Sequence, residues 1–233
     1  DPKDSYSWDV PVPDYRAALS GDIKDIRIGA ITELIHSEIV DPEVRDAVVH
    51  AGTVLGEMGA TVEEVSLPLT VHGGTITGAL INVESAMAYS DWIRERLDEF
   101  GHSNKIGLLT GSILPAQAYY KVQKLRELMR RQVQKALETY DVLILPTSKS
   151  CAPRLADDQP VTSKETATVP PVMTRPFNLA NAPALSVNCG FNSQGLPIGL
   201  QIGGRPFDEE TVLRVGHAYE QNTPWHKMRP PNA

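Results

Sequence analysis

The segment that most constrains the fold lies between residues 26 and 67, where two β-prone runs flank one capped amphipathic helix. Ile26-Arg27-Ile28-Gly29-Ala30 is short and ends in glycine. Asp41-Pro42-Glu43 has the marks of a helix start: a side-chain acceptor at the N-cap, proline at the first helical position and an acid in the first turn. Val44, Ala47, Val48, Ala51, Val54, Leu55 and Met58 follow at helical spacing and form one apolar face, and Gly59 is placed to end it. Thr61 to Leu67 is a second extended run, closed by Pro68. Strand, helix and strand with short joints predict a βαβ unit over 26–67, its strands parallel and its crossover right-handed.

The rest of the chain extends this plan. Residues 1–25 hold Pro2, Pro11, Pro13 and Gly21 among many charges and read as an extended lead-in. Residues 75–140 form a helical section. Ile76, Leu80, Val83, Met87, Trp92 and Leu97 are roughly in phase over 75–100, and Tyr119, Val122, Leu125, Met129, Val133 and Leu137 share a face over 116–140. The other face of that second helix carries Lys121, Lys124, Arg126, Arg130, Arg131 and Lys135, which reads as a solvated face before it reads as an anion site. Residues 141–233 open with the buried-type strand Val142-Leu-Ile-Leu145, stopped by Pro146. A long Pro/Ser/Thr-rich connection over 147–171 follows, of the kind that often carries function. Leu185–Gly190 and Ile198–Gly203 then predict a hairpin around Gly195, and Asp208 caps a last helix with Val212, Leu213, Val215, Ala218 and Tyr219 inward. The fold class is α/β, a mixed sheet flanked by helices in one domain.

Composition limits the chemistry. With 29 acids against 22 Lys and Arg, the net charge of −7 argues against general nucleic-acid binding. A hydrophobic content of 41% with 22% charged residues argues against disorder, and no apolar run approaches a membrane span. Cys151 and Cys189 are the only cysteines, which points to a reducing, cytoplasmic setting and leaves one disulfide between them open. The chain begins Asp-Pro-Lys-Asp, without Met or a leader pattern, as if in the middle of something. No Gly-x-Ser-x-Gly elbow is present. The six histidines show no metal-ligand spacing, so no metal or cofactor is expected. Cys151, just after the Val142–Leu145 strand, is a candidate thiolate without a visible histidine partner, and Cys189 reads as core. His72-Gly73-Gly74-Thr75 reads as a turn and helix start before an anion nest, and Asp157-Asp158 and Glu209-Glu210 read as solvated or helix-start acids. Gly199 and Gly203 suggest close backbone packing in a strand.

Several stretches together resemble one known family. Pro176-Phe-Asn-Leu-Ala-Asn-Ala-Pro-Ala-Leu-Ser-Val-Asn-Cys-Gly190, Gly195-Leu-Pro-Ile-Gly-Leu-Gln-Ile-Gly-Gly204 and Phe207-Asp-Glu resemble the C-terminal part of the amidase signature enzymes. Asp1–Ser5, Gly21–Lys24 with Ile26–Gly29, Tyr140-Asp-Val-Leu-Ile-Leu-Pro-Thr147, and Gly111 followed by Tyr119 and Arg126 are similar to its middle. The resemblance covers essentially the whole chain. It implies an amide hydrolase or amidotransferase in which a Ser nucleophile, a second Ser and a Lys general base do the chemistry. No Gly-Gly-Ser-Ser stretch occurs here, and Lys3 and Lys24 fall downstream of the family's lysine. No catalytic residue is therefore assigned, and the Ser-Ser-Lys set is expected in an N-terminal part of the parent enzyme. The resemblance makes Thr147, Ser148, Thr174, Phe177 and Asn178 candidate lining of an acyl-substrate pocket, with core packing at least as good a reading for Phe177 and for Leu179.

Glutamine-specific amidotransferase subunits are similar too, but carry an Asp shortly before the Asn-Leu-Ala stretch. Val169-Pro-Pro-Val-Met-Thr174 offers no acid there, which favours a general amidase with an uncharged or aromatic small-molecule amide substrate. The expected partner is the N-terminal half of the same amidase, or a second copy through exposed sheet. The alternatives are a non-catalytic scaffold module that kept the fold, an amidotransferase fragment, and an enzyme acting through Cys151.

Overall fold

The computed structural model describes residues 1–153 and 172–229. In chain order the elements are β1 (Arg27–Ile31), α1 (Thr32–Ile35), α2 (Pro42–Glu57), β2 (Thr61–Val65), α3 (Gly73–Ala88), α4 (Ser90–Glu95), α5 (His102–Ile113), α6 (Ala116–Leu137), β3 (Val142–Pro146), α7 (Arg175–Ala180), β4 (Ala184–Phe191), β5 (Pro197–Gly204) and α8 (Glu209–Gln221). The connection expected over 147–171 is described only to residue 153. Asp157-Asp158 and residues 169–171 lie outside the described residues.

The βαβ unit forms as its sequence dictates. β1 and β2 pair in parallel from Arg27↔Thr61 to Ile31↔Val65. The Asp41 carboxylate accepts the Glu43 N–H at 2.9 Å at the start of α2. Gly59 follows the helix at φ +101°, where a side chain would be strained and a Cβ would lie 2.9 Å from Lys24 Cγ. β3 joins β1 in parallel with Ile28↔Val142, and all its residues are buried, as a strand covered on both faces must be. The hairpin of β4 and β5 adds antiparallel strands through Leu143↔Gly203 and Ser186↔Gln201, giving the order β2-β1-β3-β5-β4. β2 and β4 are the edges.

Side-chain alternation divides the sheet into two faces. On one, α2 lays Gly52 near Val62 and Ile144, and α8 brings Val212 against Gly204 and Gly216 against Leu185. On the other, the Phe177 ring of α7 lies over Gly203, where a Cβ would come within 2.2 Å of it, and Tyr140 lies over Gly29. One core cluster runs through β1, β3, β5, α2 and α8. A smaller one joins α3, α6 and α7 through Ile76, Leu80, Met129 and Leu179.

The helical section departs from the single amphipathic phase expected over 75–100. α3 ends at Ala88, and the short α4 and a 3-10 turn at Leu97–Glu99 follow. Ile76 and Leu80 are buried, but Met87 is 75% exposed and Trp92 half-exposed. Trp92 instead packs with Tyr89 and Phe100 and lies beneath the Arg96 guanidinium. α5 is hard to see in the sequence because Gly107 and Gly111 interrupt its apolar pattern. Those glycines let it approach α3: a Cβ on Gly111 would sit 1.9 Å from the Asn82 carbonyl oxygen. The basic face of α6 is largely paired. Arg130 and Arg131 both bind Glu127, Lys135 binds Glu138, and Lys124 lies over the Tyr120 ring. Hydrogen bonds from Arg130 and then Arg131 pull the Glu127 carboxyl down to about 2.

Candidate functional site

The parallel strands β1 and β3 deliver the chain to one end of the sheet, and ligands of open α/β sheets bind outside the carboxyl ends of such strands. There β3 stops at Pro146, which has no N–H for the ladder. The next N–H, that of Thr147, donates to Gly199 O at 2.8 Å. The Lys149 carbonyl accepts the Asp41 N–H at 2.9 Å, tying this loop to the start of α2. Together these segments enclose a pocket of about 310 Å³ lined by Thr147, Ser148, Ser150, Cys151, Pro197 and Gly199, among others.

The hydroxyls of Thr147 and Ser186 meet at 2.6 Å, spanning β3 to β4 across β5. They fit because Gly199 lies beneath: a Cβ there would approach Thr147 Oγ1 to 2.8 Å and Ser186 Oγ to 2.9 Å. Next along β5, on the same face, Gln201 is 3% exposed, and its Nε2 has no hydrogen-bond partner among the described residues.

The expected site residues are thus distributed unevenly. Thr147 and Ser148 share the pocket. Thr174 takes the N-cap position of α7 without a side-chain capping bond. Phe177 is buried in the core over Gly203, Asn178 is exposed on α7, and none of these three lines the pocket. Ser186, Gly199 and Gln201 join the site without having been expected there. The available signal was a glycine and a carboxamide alternating inside the otherwise apolar run Ile198–Ile202.

Cys151 is poorly suited to act as a thiolate. Partial burial raises its pKa, and the negative charges of Asp41 and Glu43 raise it further. Burial pushes Cys189 up to about 12. Both thiols are free. Among the described residues, no group of three or more His, Cys, Asp or Glu is placed to hold a metal ion.

Gly111, Tyr119 and Arg126 organise the helices. The Tyr119 hydroxyl donates to Glu84 at 3.0 Å and accepts from Gln123 at 2.8 Å. Arg126 donates to the Asn181 side chain at 3.1 Å, at the left-handed residue that ends α7.

A mixed sheet with helices on both faces and a hydroxyl-bearing pocket at the carboxyl end of its central strand places the chain in the α/β class. The family model for amidases matches residues 1–213, and the chain belongs to this family, that of the amidase signature enzymes. It is 40% identical to a glutamyl-tRNA(Gln) amidotransferase subunit of Brevibacillus brevis over 99% of its own length and 51% of the relative's. Among solved structures it resembles a bacterial aryl acylamidase of the amidase signature family, with a TM-score of 0.84, 22% identity and coverage of 99% of this chain and 51% of that one. The corresponding amidotransferase subunit of Thermotoga maritima matches with a TM-score of 0.71, 24% identity and coverage of 91% and 46%. The chain therefore spans about half the length of the curated relatives it matches. No helix among the described residues is long and apolar enough to cross a membrane.

Proposed function

We propose that this chain forms the C-terminal half of an amide-bond hydrolase, supplying most of one sheet and a polar wall of the acyl-substrate pocket, with Thr147 and Ser148 in that wall. The observation that carries this reading is the amidase match along residues 1–213 of a chain whose own pocket, among the described residues, holds hydroxyls but no Ser-Lys pair. In the family mechanism a neutral lysine takes the proton of the serine nucleophile, and backbone N–H groups hold the oxyanion. On this reading those groups come from the complementary half, the part of the relatives' length that the match leaves uncovered. Thr174, Phe177 and Asn178 then act at second hand, through the seating of α7 on β5. A reducing, cytoplasmic setting fits the two free thiols.

The 40% identity to an amidotransferase subunit favours a second substrate reading, glutamine as ammonia donor. The sequence Val169-Pro-Pro-Val-Met-Thr174, without an acid, favours uncharged or aromatic amides instead. One assay separates them. The purified chain is mixed with the complementary half of the Brevibacillus brevis protein, and ammonia release is followed from glutamine and from a panel of aryl and alkyl primary amides. The expected result is turnover by the mixture and by neither part alone, faster on uncharged amides than on glutamine. Turnover confined to glutamine would establish the amidotransferase reading. Association without any turnover would leave a scaffold role and overturn the hydrolase.

A further inference from the structure

Besides the pocket at the end of β3 the molecule has a second, larger hollow. It lies between α2 and the edge strand β2, holds about 480 Å³ and shares no lining residue with the Thr147 pocket. Its floor is apolar: Ala30, Val62 and Ile144 come from β1, β2 and β3, on the face that α2 covers. Its wall is α2, where Gly52 and Gly56 stand about one turn apart. Small-molecule sites have this size and this make-up, mostly apolar with a few polar groups.

The hollow is kept open by glycines that packing within the chain does not require. At Gly111 and Gly203 an added Cβ would collide with a neighbour. At Gly52 it would rest at ordinary contact distance, 3.6 Å from Val62 Cγ1 and 3.7 Å from Ile144 Cδ1, so it would point at the floor of the hollow without a clash. At Gly56 it would meet nothing within 4 Å, and neither glycine has a left-handed backbone. Glycine weakens a helix relative to alanine, so neither packing nor conformation favours it at these two positions. A larger apolar side chain at either one would occupy the hollow and bury the floor.

The rim sets the charge of the occupant. No Lys or Arg lines the hollow, and its ionisable groups are His36, Glu63 and Glu64. Glu63 accepts the Tyr140 hydroxyl at 3.1 Å. Glu64 has His36 Nε2 3.2 Å from its Oε1, and among the described residues no hydrogen bond reaches its Oε2. An anion would meet carboxylates here, and the net charge of −7 draws cations toward the molecule as a whole. We propose that the α2–β2 hollow is a binding site for a small amphiphilic cation, a primary ammonium group on an apolar body. The body lies over Val62 and Ile144 beside Gly52 and Gly56, and the ammonium donates to Glu64 Oε2. This site stands apart from the amide hydrolysis proposed above and does not depend on it.

The test titrates phenylbutylammonium into the isotope-labelled chain and follows the amide signals of Gly52, Thr53, Gly56 and Val62 by NMR. Phenylbutanol and phenylbutyrate carry the same body with a neutral and an anionic head. The proposal expects saturable movement of these signals with the ammonium, binding about fivefold weaker for the alcohol, as one exposed ion pair is worth, and weaker still for the carboxylate. Glu64→Gln, a change at the surface, should bring the ammonium down to the affinity of the alcohol. Gly52→Leu should weaken the ammonium about tenfold or more by filling the hollow, and Gly56→Leu repeats the comparison should Gly52→Leu fail to fold. Ammonium binding no tighter than that of the alcohol, affinity unchanged by the leucine, no saturable movement with the ammonium, or movement confined to signals away from α2 and β2 would each overturn the site.

Discussion

The sheet core and the helical arm of α3 to α6 are built on opposite principles. In the sheet, β3 is wholly buried and Leu143, Leu145, Ile202 and Tyr219 show no exposed surface. In the arm, close approach is achieved by glycine at Gly107 and Gly111, the apolar cluster is small, and large side chains face outward. On α5, Ile106, Leu109 and Ile113 recur at helical spacing on the side away from the Gly107–Gly111 contact, and Ile113 is 82% exposed. The difference teaches where stability comes from buried contacts and where apolar surface stays exposed. Burial of apolar surface is the main source of stability, so the sheet stands on its own contacts; on the two-half reading proposed above, the arm and the β4 edge hold surface for contacts with the complementary half.

Gly203→Ala should break the complete part. Its Cβ would meet the Phe177 ring at 2.2 Å, and that ring is buried with no exit to solvent. We expect a loss of roughly 3 kcal/mol or more, seen as a drop in the denaturation midpoint of the whole molecule. Gly111→Ala should break only the arm. Its Cβ meets a backbone carbonyl, so α5 must move off α3. The expected cost is roughly 1–3 kcal/mol, confined by hydrogen exchange to α3 and α5 while β1, β3 and β5 keep their protection. Equal loss of protection in the sheet would erase the distinction between the two regions.

Arg205→Leu probes the joint between them. Arg205 donates to the last carbonyls around the end of α6, Leu137 O at 2.8 Å and Tyr140 O at 3.1 Å, and pairs with Asp141 at 3.0 Å. Burial of Asp141 by itself raises its pKa, but the Arg27 N–H, the Arg205 bond and the charges of Arg205 and Arg27 together lower it below the ordinary 3.8. The sign follows from linkage. This stabilisation is fully present above the unfolded value and is lost as pH falls through the lower folded value. We expect Arg205→Leu to cost about 1–3 kcal/mol near neutrality and less below pH ~4, as measured by urea denaturation across that range. The smallest effect is expected at the arm's surface: Ile113→Ser should change the stability of the isolated chain by less than about 0.5 kcal/mol, checked in the same titration.

Much of the sheet was legible because its signals are local and periodic. Asp41, Pro42 and Gly59 bracket α2, Pro146 ends β3, and Gly195 turns the hairpin. The arm was less legible because its contacts depend on missing side chains. Gly107 and Gly111 look like helix breakers in one dimension and are packing surfaces in three. The candidate site was read in part for a related reason. Thr147 and Ser148 follow directly from the end of a strand. Ser186 and Gln201 belong to the site only through register across β3, β5 and β4, which sequence spacing does not reveal. Phe177 stood out by resemblance, and its place over Gly203 has a packing cause.

The most direct measurement is amide hydrogen exchange of the chain with and without the complementary half of an amidase relative. We expect new protection in Ala184–Phe191 of β4 and in the exposed arm, with β1, β3 and β5 already protected and unchanged. Unchanged exchange at β4 and in the arm, despite association, would contradict the claim that these surfaces are where the chain is completed.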